Sequence, residues 1–170
     1  IYSGQKKVAG VGMLGTPIKT SMSVVPDEPY TIPFGVANVI QEGTDLTMVG
    51  VSWTVHQCIE AAERLQSEHN VSVEIIDPRT VVPLDRDAIF NSVKKTGRIL
   101  VIDSGFKNLG IGSEIISRIS ETCMEKLKSK PIRIGLPFIP TPSSRFLAKS
   151  YYLNKKRILT SILQVLNKNK

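Results

Sequence analysis

Residues 71–101, from Val71 to Val101, read VSVEIIDPRTVVPLDRDAIFNSVKKTGRILV. This stretch decides the fold. Val73, Ile75 and Ile76, with β-branched neighbours, spell a strand. Asp77-Pro78 cannot continue it, because proline brings no amide hydrogen to a ladder. An irregular link closed by Pro83 follows. Asp85 is placed to cap a helix whose inner face is Ile89, Phe90 and Val93. Gly97 stops that helix, and Arg98 to Ile102 reads as the next strand. Strand, helix and strand with short links make a βαβ unit, which implies a right-handed crossover and a parallel pair.

The same alternation extends in both directions. Upstream, Leu46 to Val51 (LTMVGV) is a buried strand, and Val36 to Ile40 a shorter one before a Glu42-Gly43 turn. Val55, Cys58, Ile59, Ala62 and Leu65 recur at helical spacing, so a helix is expected over Trp53 to Glu68, ended by Asn70. Downstream, Asp103 to Ile115 (DSGFKNLGIGSEI) reads as a strand end, a Gly-rich loop and a helix start. Ile115, Ile119, Cys123 and Leu127 stripe that helix, which is expected to reach Ser129. Ile132 to Ile134 is a further strand. LPFIPTPSS then gives an extended loop bearing Pro137, Pro140 and Pro142. A helical turn at Arg145 to Lys149 and a last helix from Asn154 to Leu166 complete the pattern. The order predicts an α/β protein, a three-layer α/β/α sandwich with a mainly parallel sheet.

At 170 residues the chain holds one domain plus some extra length. It lacks an initial Met and reads as a fragment or a processed product. Residues 1–29 are rich in Gly, Ser, Pro and Lys and read as a linker or as the end of a missing domain; the domain proper is expected over 30–170. Gly10, Gly12 and Gly15 lack the strand and helix that a phosphate loop needs. No apolar run approaches the ~20 residues that span a bilayer, so no membrane contact is expected. Cys58 and Cys123 sit at core-facing helical positions and read as buried free thiols.

The net charge of +7 is unevenly placed: residues 1–125 hold eleven bases and all fifteen acids, whereas residues 126–170 hold eleven bases and no acid. A basic segment raises nucleic acid as a partner. These charges are spread over a strand, a loop and an amphipathic helix without stacking aromatics, which favours a solvated or subunit-facing surface.

Three loops are expected at the carboxyl ends of the strands, where open α/β sheets hold ligands: Ser52 to His56, Asp77 to Asp85, and Asp103 to Gly112. The glycines of the third would let backbone N–H groups approach an anion at a helix start, or would serve tight helix-to-sheet packing. His56 has no identifiable partner for general-base work and reads as a residue near a subunit contact. His69 reads as a surface residue. Arg79 is expected to pair with Asp77 or Asp85 and brace the crossover. Trp53, the sole tryptophan, reads as a packing or interface anchor. No triad, metal cluster or nucleophile elbow can be assembled, and no G-x-G-x-x-G follows the first strand, so a dinucleotide site is not expected.

Seven segments, in order, resemble a known family: VPDEPYTIPFG (25–35), QEGTDLTMVG (41–50), HQCIEAAERL (56–65), IIDPRTVVPLD (75–85), SVKKTGRILV (92–101), GIGSEI (110–115) and PTPSS (140–144). They look like the C-terminal domain of the transketolase superfamily. The likeness is greatest to beta subunits of the thiamine-diphosphate-dependent first component of 2-oxo-acid dehydrogenase complexes of pyruvate, branched-chain or acetoin type. The resemblance implies a parent enzyme that uses thiamine diphosphate and Mg²⁺ to decarboxylate a 2-oxo acid or to transfer a two-carbon unit. It implies that a preceding domain binds the aminopyrimidine, so that this chain binds neither group and holds no catalytic residue. The domain here would build a homodimer or a heterotetramer with an alpha subunit, and help dock an acyltransferase core. Trp53, His56, Arg79, Asp103, Phe106 and Asn108 are the candidate interface residues. The compartment implied is the bacterial cytoplasm or the mitochondrial matrix.

Three features depart from the resemblance. Residues 1–22 match no pattern of the family. Asp103-Ser104-Gly105 stands where many beta subunits carry Glu-Glu or His-Glu. The basic segment after Glu125 differs from an acidic docking face. It supports a second expectation, a free-standing module that binds an acidic partner or nucleic acid.

Overall fold

A computed structural model describes residues 10–11, 17–18 and 27–166. The chain divides into two units, Ile1–Pro33 and Phe34–Lys170. In the first, β1 (Gly10–Val11) and β2 (Pro17–Ile18) pair antiparallel. The linker expected over 1–29 lies mostly outside the described residues.

The second unit runs β3 (Asn38–Gln41), β4 (Leu46–Gly50), α1 (Thr54–His69), β5 (Val73–Asp77), α2 (Arg86–Thr96), β6 (Ile99–Phe106), α3 (Ile111–Cys123), β7 (Ile132–Leu136), α4 (Arg145–Tyr151) and α5 (Lys155–Val165). The five strands lie in the order β3-β5-β4-β6-β7. All pairs are parallel except β3 with β5. The chain is therefore the α/β sandwich with a mainly parallel sheet that its alternation of elements predicts.

Period-two alternation along each strand builds the two cores. Leu46 and Met48 of β4, Val73 and Ile75 of β5, and Leu100 and Ile102 of β6 face α1 and α5, where Cys58, Leu65, Ile158 and Ile162 meet them. Val49, Ile76, Ile99 and Val101 face α2 and α3, where Ile89, Val93, Ile115 and Ile119 close the other layer. Cys58 and Cys123 are both buried and free, one in each core. Burial pushes the Cys58 thiol up to about 12, so it stays protonated and acts as an apolar side chain.

One detail of the central unit differs from expectation. The strands flanking α2 are not neighbours: β4 lies between β5 and β6, with Met48 opposite both Ile75 and Leu100. All five residues of β4 are buried, and a strand covered on both faces is suited to the sheet centre with a parallel partner on each side. The crossover through α2 therefore passes over β4.

Local signals set the helix limits. Asp85 caps α2 by accepting the Ala88 N–H on Oδ1 at 3.1 Å. Gly97 ends the helix at φ +74, a left-handed position that favours glycine. The helix after the Gly-rich turn stops earlier than expected: α3 ends at Cys123, and Met124–Lys126 is a 3₁₀ turn. Conversely, β6 runs four residues beyond Ile102, to Phe106. Its partner β7 extends to Leu136, and Leu136 pairs with Phe106.

Candidate functional site

The strand order places a switch point between β4 and β6. From β4 the chain leaves into α1 on one face; from β6 it leaves into α3 on the other. Such a crevice, at the carboxyl ends of the strands, is where open α/β sheets hold ligands. Here the protein seals it. Thr54 is fully buried. Its hydroxyl donates to the Ile102 carbonyl at 2.7 Å and accepts the Val51 N–H at 2.8 Å. The Val51 N–H also reaches the Ile102 carbonyl directly, at 3.0 Å. Three hydrogen bonds thus stitch the two strand ends together.

The Gly-rich turn beside it is filled as well. Asp103 is buried, and its Oδ1 accepts the Gly105 N–H at 2.9 Å. A Cβ on Gly110 would stand 2.2 Å from the Phe106 carbonyl oxygen and 3.2 Å from Asp103 Oδ2. Glycine is thus required for close approach of helix and strand, one of the two uses the sequence offered. The other use, cradling an anion, is opposed by the carboxylate already there: a second negative charge would meet like charge.

Large apolar side chains stand exposed at this edge, among polar ones such as Arg79, Lys107 and Asn108. Trp53 follows β4; Val81 and Val82 follow β5; Phe106 ends β6 and Leu109 follows it; Phe138 and Ile139 follow β7. Val82 is 88% exposed and Leu109 96%, so these are whole side chains left in water. Phe106 and Phe138 join edge to face, with ring centroids 5.2 Å apart. Trp53 leans on His56 at 5.7 Å. Ser52, Arg79 and Leu109, one in each of three edge loops, hold positive φ of 59, 55 and 58 degrees. For residues other than glycine this costs roughly 1–2 kcal/mol each. Such strain gathers where a surface has a job to do.

The candidate residues divide accordingly. Trp53, Arg79, Phe106 and Asn108 are exposed along the edge, and His56 is half-buried behind Trp53. Asp103 is turned inward. Arg79 does not pair with Asp77 or Asp85: its backbone N–H, not its guanidinium, reaches Asp77 Oδ1, at 2.9 Å. Asp85 is occupied by the α2 cap and by the Ala37 N–H. Thr80 braces the crossover instead, accepting the Gly35 N–H at 2.9 Å and donating to the Pro83 carbonyl at 2.7 Å. Val82, Leu109 and Phe138 carry only a faint sequence signal: each stands beside a turn residue, outside any apolar period.

A cavity of about 200 Å³ lies elsewhere, between α1 and α5. Both cations on its wall are already paired: Lys155 with Glu60 at 2.8 Å and Arg64 with Glu68 at 3.1 Å. It is smaller than the usual ligand pocket of ~300 Å³ or more.

The transketolase C-terminal domain family matches residues 35–158. The chain belongs to this family. It is 36% identical over 151 residues to the beta subunit of acetoin:2,6-dichlorophenolindophenol oxidoreductase of Bacillus subtilis, covering 87% of this chain and 44% of that protein. It is 38% identical over 143 residues to the pyruvate dehydrogenase E1 component subunit beta of the same organism, covering 84% and 43%. With the mitochondrial 2-oxoisovalerate dehydrogenase subunit beta of Chaetomium thermophilum it shares 36% over 126 residues, covering 73% and 27%. The chain thus spans less than half the length of these relatives. Among solved structures, a split gene transketolase, described as an inactive beta4 tetramer, superposes with a TM-score of 0.69 at 21% identity, covering 87% of this chain and 46% of that one. That likeness shows the fold.

At the glycine turn the residues present do not favour the diphosphate of the cofactor that the resemblance brings. Among the described residues no three His, Cys, Asp or Glu converge as metal ligands. The glycine turn that might approach a diphosphate holds the Asp103 carboxylate.

Proposed function

We propose that this domain is the subunit-interface part of a thiamine-diphosphate-dependent enzyme of the 2-oxo-acid dehydrogenase first-component type, acting as or within its beta subunit. The observation that carries the reading is the pairing at the carboxyl edge of a sealed crevice with an exposed apolar rim. Hydrogen bonds within the chain close the place where a small ligand would bind, and the surface above it is built for contact. Contiguous exposed apolar surface marks association, and a stable interface takes about 800 Å² from each partner.

In this reading the facing surface is a second copy of the chain or an alpha subunit, giving a homodimer or a heterotetramer. The reacting groups and the cofactor belong to other parts of the assembled enzyme. This domain contributes rigidity and position. An acyltransferase core is a further partner, and the compartment is the bacterial cytoplasm or the mitochondrial matrix; relatives come from a bacterium and, by name, from mitochondria.

The test is an assay of the full-length protein with its cognate partner subunit, thiamine diphosphate and Mg²⁺. Pyruvate, 2-oxoisovalerate and acetoin are the substrates, and sedimentation is measured in parallel. Replacing Val82, Phe106 and Leu109 by Ser is expected to lower assembly and turnover together. A folded variant that no longer assembles yet keeps full turnover would contradict the reading.

A further inference from the structure

The cavity between α1 and α5 has a chemistry that the carboxyl-edge contact does not use. Its apolar wall is Ala61, Ile158 and Leu159. Ile158 belongs to the core under α1 and α5, and Ala61 and Leu159 pack against that core. Gln57, Glu60, Ala61 and Arg64 recur at helical spacing, so one side of α1 supplies them. Glu63 and Lys155 complete the wall. Most of its polar groups satisfy one another. Lys155 holds Glu60 at 2.8 Å. Arg64 is turned to Glu68, one helical turn on, through Nε and Nη2, both at 3.1 Å. What remains is Oε1 of Gln57 and the carboxylate of Glu63. The first is buried with no hydrogen-bond partner among the described residues. The second is exposed and has no ion pair among the described residues. Both are acceptors, and one of them is an anion. A buried acceptor without a donor is rare in folded proteins and points to a group that belongs beside it.

We infer that this cavity takes a small organic cation, an aliphatic primary amine. Its ammonium group donates to Gln57 Oε1 and meets the charge of Glu63, while its carbon chain lies on Ala61, Ile158 and Leu159. The size fits. An apolar cavity of about 150 Å³ holds benzene, so about 200 Å³ accommodates a chain of about five carbons with its nitrogen. A carboxylate of the same length would bring like charge to Glu60 and Glu63. An alcohol would supply a donor without the charge. Water alone would serve Gln57 and leave the apolar wall and Glu63 unused.

The experiment is methyl NMR on the full-length protein, with labelled Ala, Ile and Leu methyl groups, titrated with n-pentylammonium, n-pentanol and n-pentanoate. The probes share one chain and differ in the charge of the end group. The ammonium is expected to shift the Ala61, Ile158 and Leu159 methyls saturably, with a dissociation constant at least about tenfold below that of the alcohol. Pentanoate is expected to leave these methyls in place. Glu63→Gln is expected to weaken ammonium binding by about tenfold and leave the alcohol unchanged. Ala61→Leu, which fills the cavity from its wall, is expected to abolish both. The comparison of probes needs no variant, so it stands even if Ala61→Leu folds poorly. Equal affinity for ammonium and alcohol, preference for pentanoate, or ammonium binding that Glu63→Gln does not move would overturn the inference. So would the absence of a saturable shift at these methyls, because the cavity would then hold water alone.

Discussion

The Ala37 amide donates to Asp85 Oδ2 at 2.8 Å, while the other oxygen of the same carboxylate caps α2 at Ala88. One side chain thus starts a helix and ties the entry of the edge strand β3 to the crossover. An N-cap contributes about 1 kcal/mol, and a hydrogen bond to a charged group about 1.5–3 kcal/mol. Asp85→Ala is expected to lose about 2–4 kcal/mol, and Asp85→Asn less, since one acceptor survives. Urea titration checks this through the midpoint at unchanged slope. Equal losses for both variants would mean that the acceptor oxygen kept by Asn contributes nothing.

Thr47, the second residue of β4, has no exposure, and its hydroxyl meets Ser92 at 2.7 Å and Thr96 at 2.8 Å. This buried trio fastens α2 to the sheet. Thr47→Val keeps the shape and removes the shared partner, leaving Ser92 short of a bond. The expected cost is about 1–3 kcal/mol, read as a fall in unfolding free energy. A neutral result would show that Ser92 finds another acceptor.

Lys95 bridges Glu42, at 2.7 Å, and the buried Glu74. The hydrogen bond from Lys95 holds the Glu42 carboxyl below its ordinary range, and the two glutamates hold Lys95 above its ordinary 10.5. The signs follow from linkage. Glu42, with its folded pKa depressed, contributes stability above the ordinary glutamate value, and that contribution fades as pH falls through the depressed one. Lys95, with its folded pKa raised, contributes fully below 10.5 and loses that contribution as pH rises through the raised value. Glu42→Gln is expected to flatten the acid limb of stability against pH. Lys95→Met is expected to cost more at neutral pH, because it strands the Glu74 carboxylate in a buried site. Urea midpoints across the pH range check both. If Glu42→Gln leaves the acid limb unchanged, the pair has no net effect.

Gly110→Ala places a carbon against the Phe106 carbonyl. The turn from β6 into α3 must then open, moving Phe106 and Leu109. A lowered melting temperature together with weakened assembly is expected. Unchanged assembly in a folded G110A protein would show that the rim tolerates displacement.

The fold was legible because burial and period agree. The fully buried β4 and the stripes of α1, α2 and α5 could be read from Leu46, Cys58, Ile89 and Ile162 alone. Asp85 and Gly97 announced the ends of α2 through side-chain chemistry. What the chain did not announce was long-range. That β4 would separate β5 from β6 depends on which strands pair. That β6 would continue to Phe106 depends on Leu136 across the ladder. The site was legible in outline only. Trp53 and Phe106 stood out as large aromatics near loops, whereas Val82 and Leu109 are ordinary residues until their exposure is known. Arg79 misled because sequence nearness to two acids suggests an ion pair. Asp77 instead takes the Arg79 backbone amide, and Asp85 was already engaged by Ala88 and Ala37.

Sedimentation velocity of the protein, with Val82, Phe106 and Leu109 intact and then replaced by Ser, tests the interface reading most directly. The intact protein is expected to sediment as a dimer or larger at micromolar concentration, and the folded triple variant as a monomer. A strictly monomeric intact protein, or a triple variant that assembles as well as the original, would contradict it.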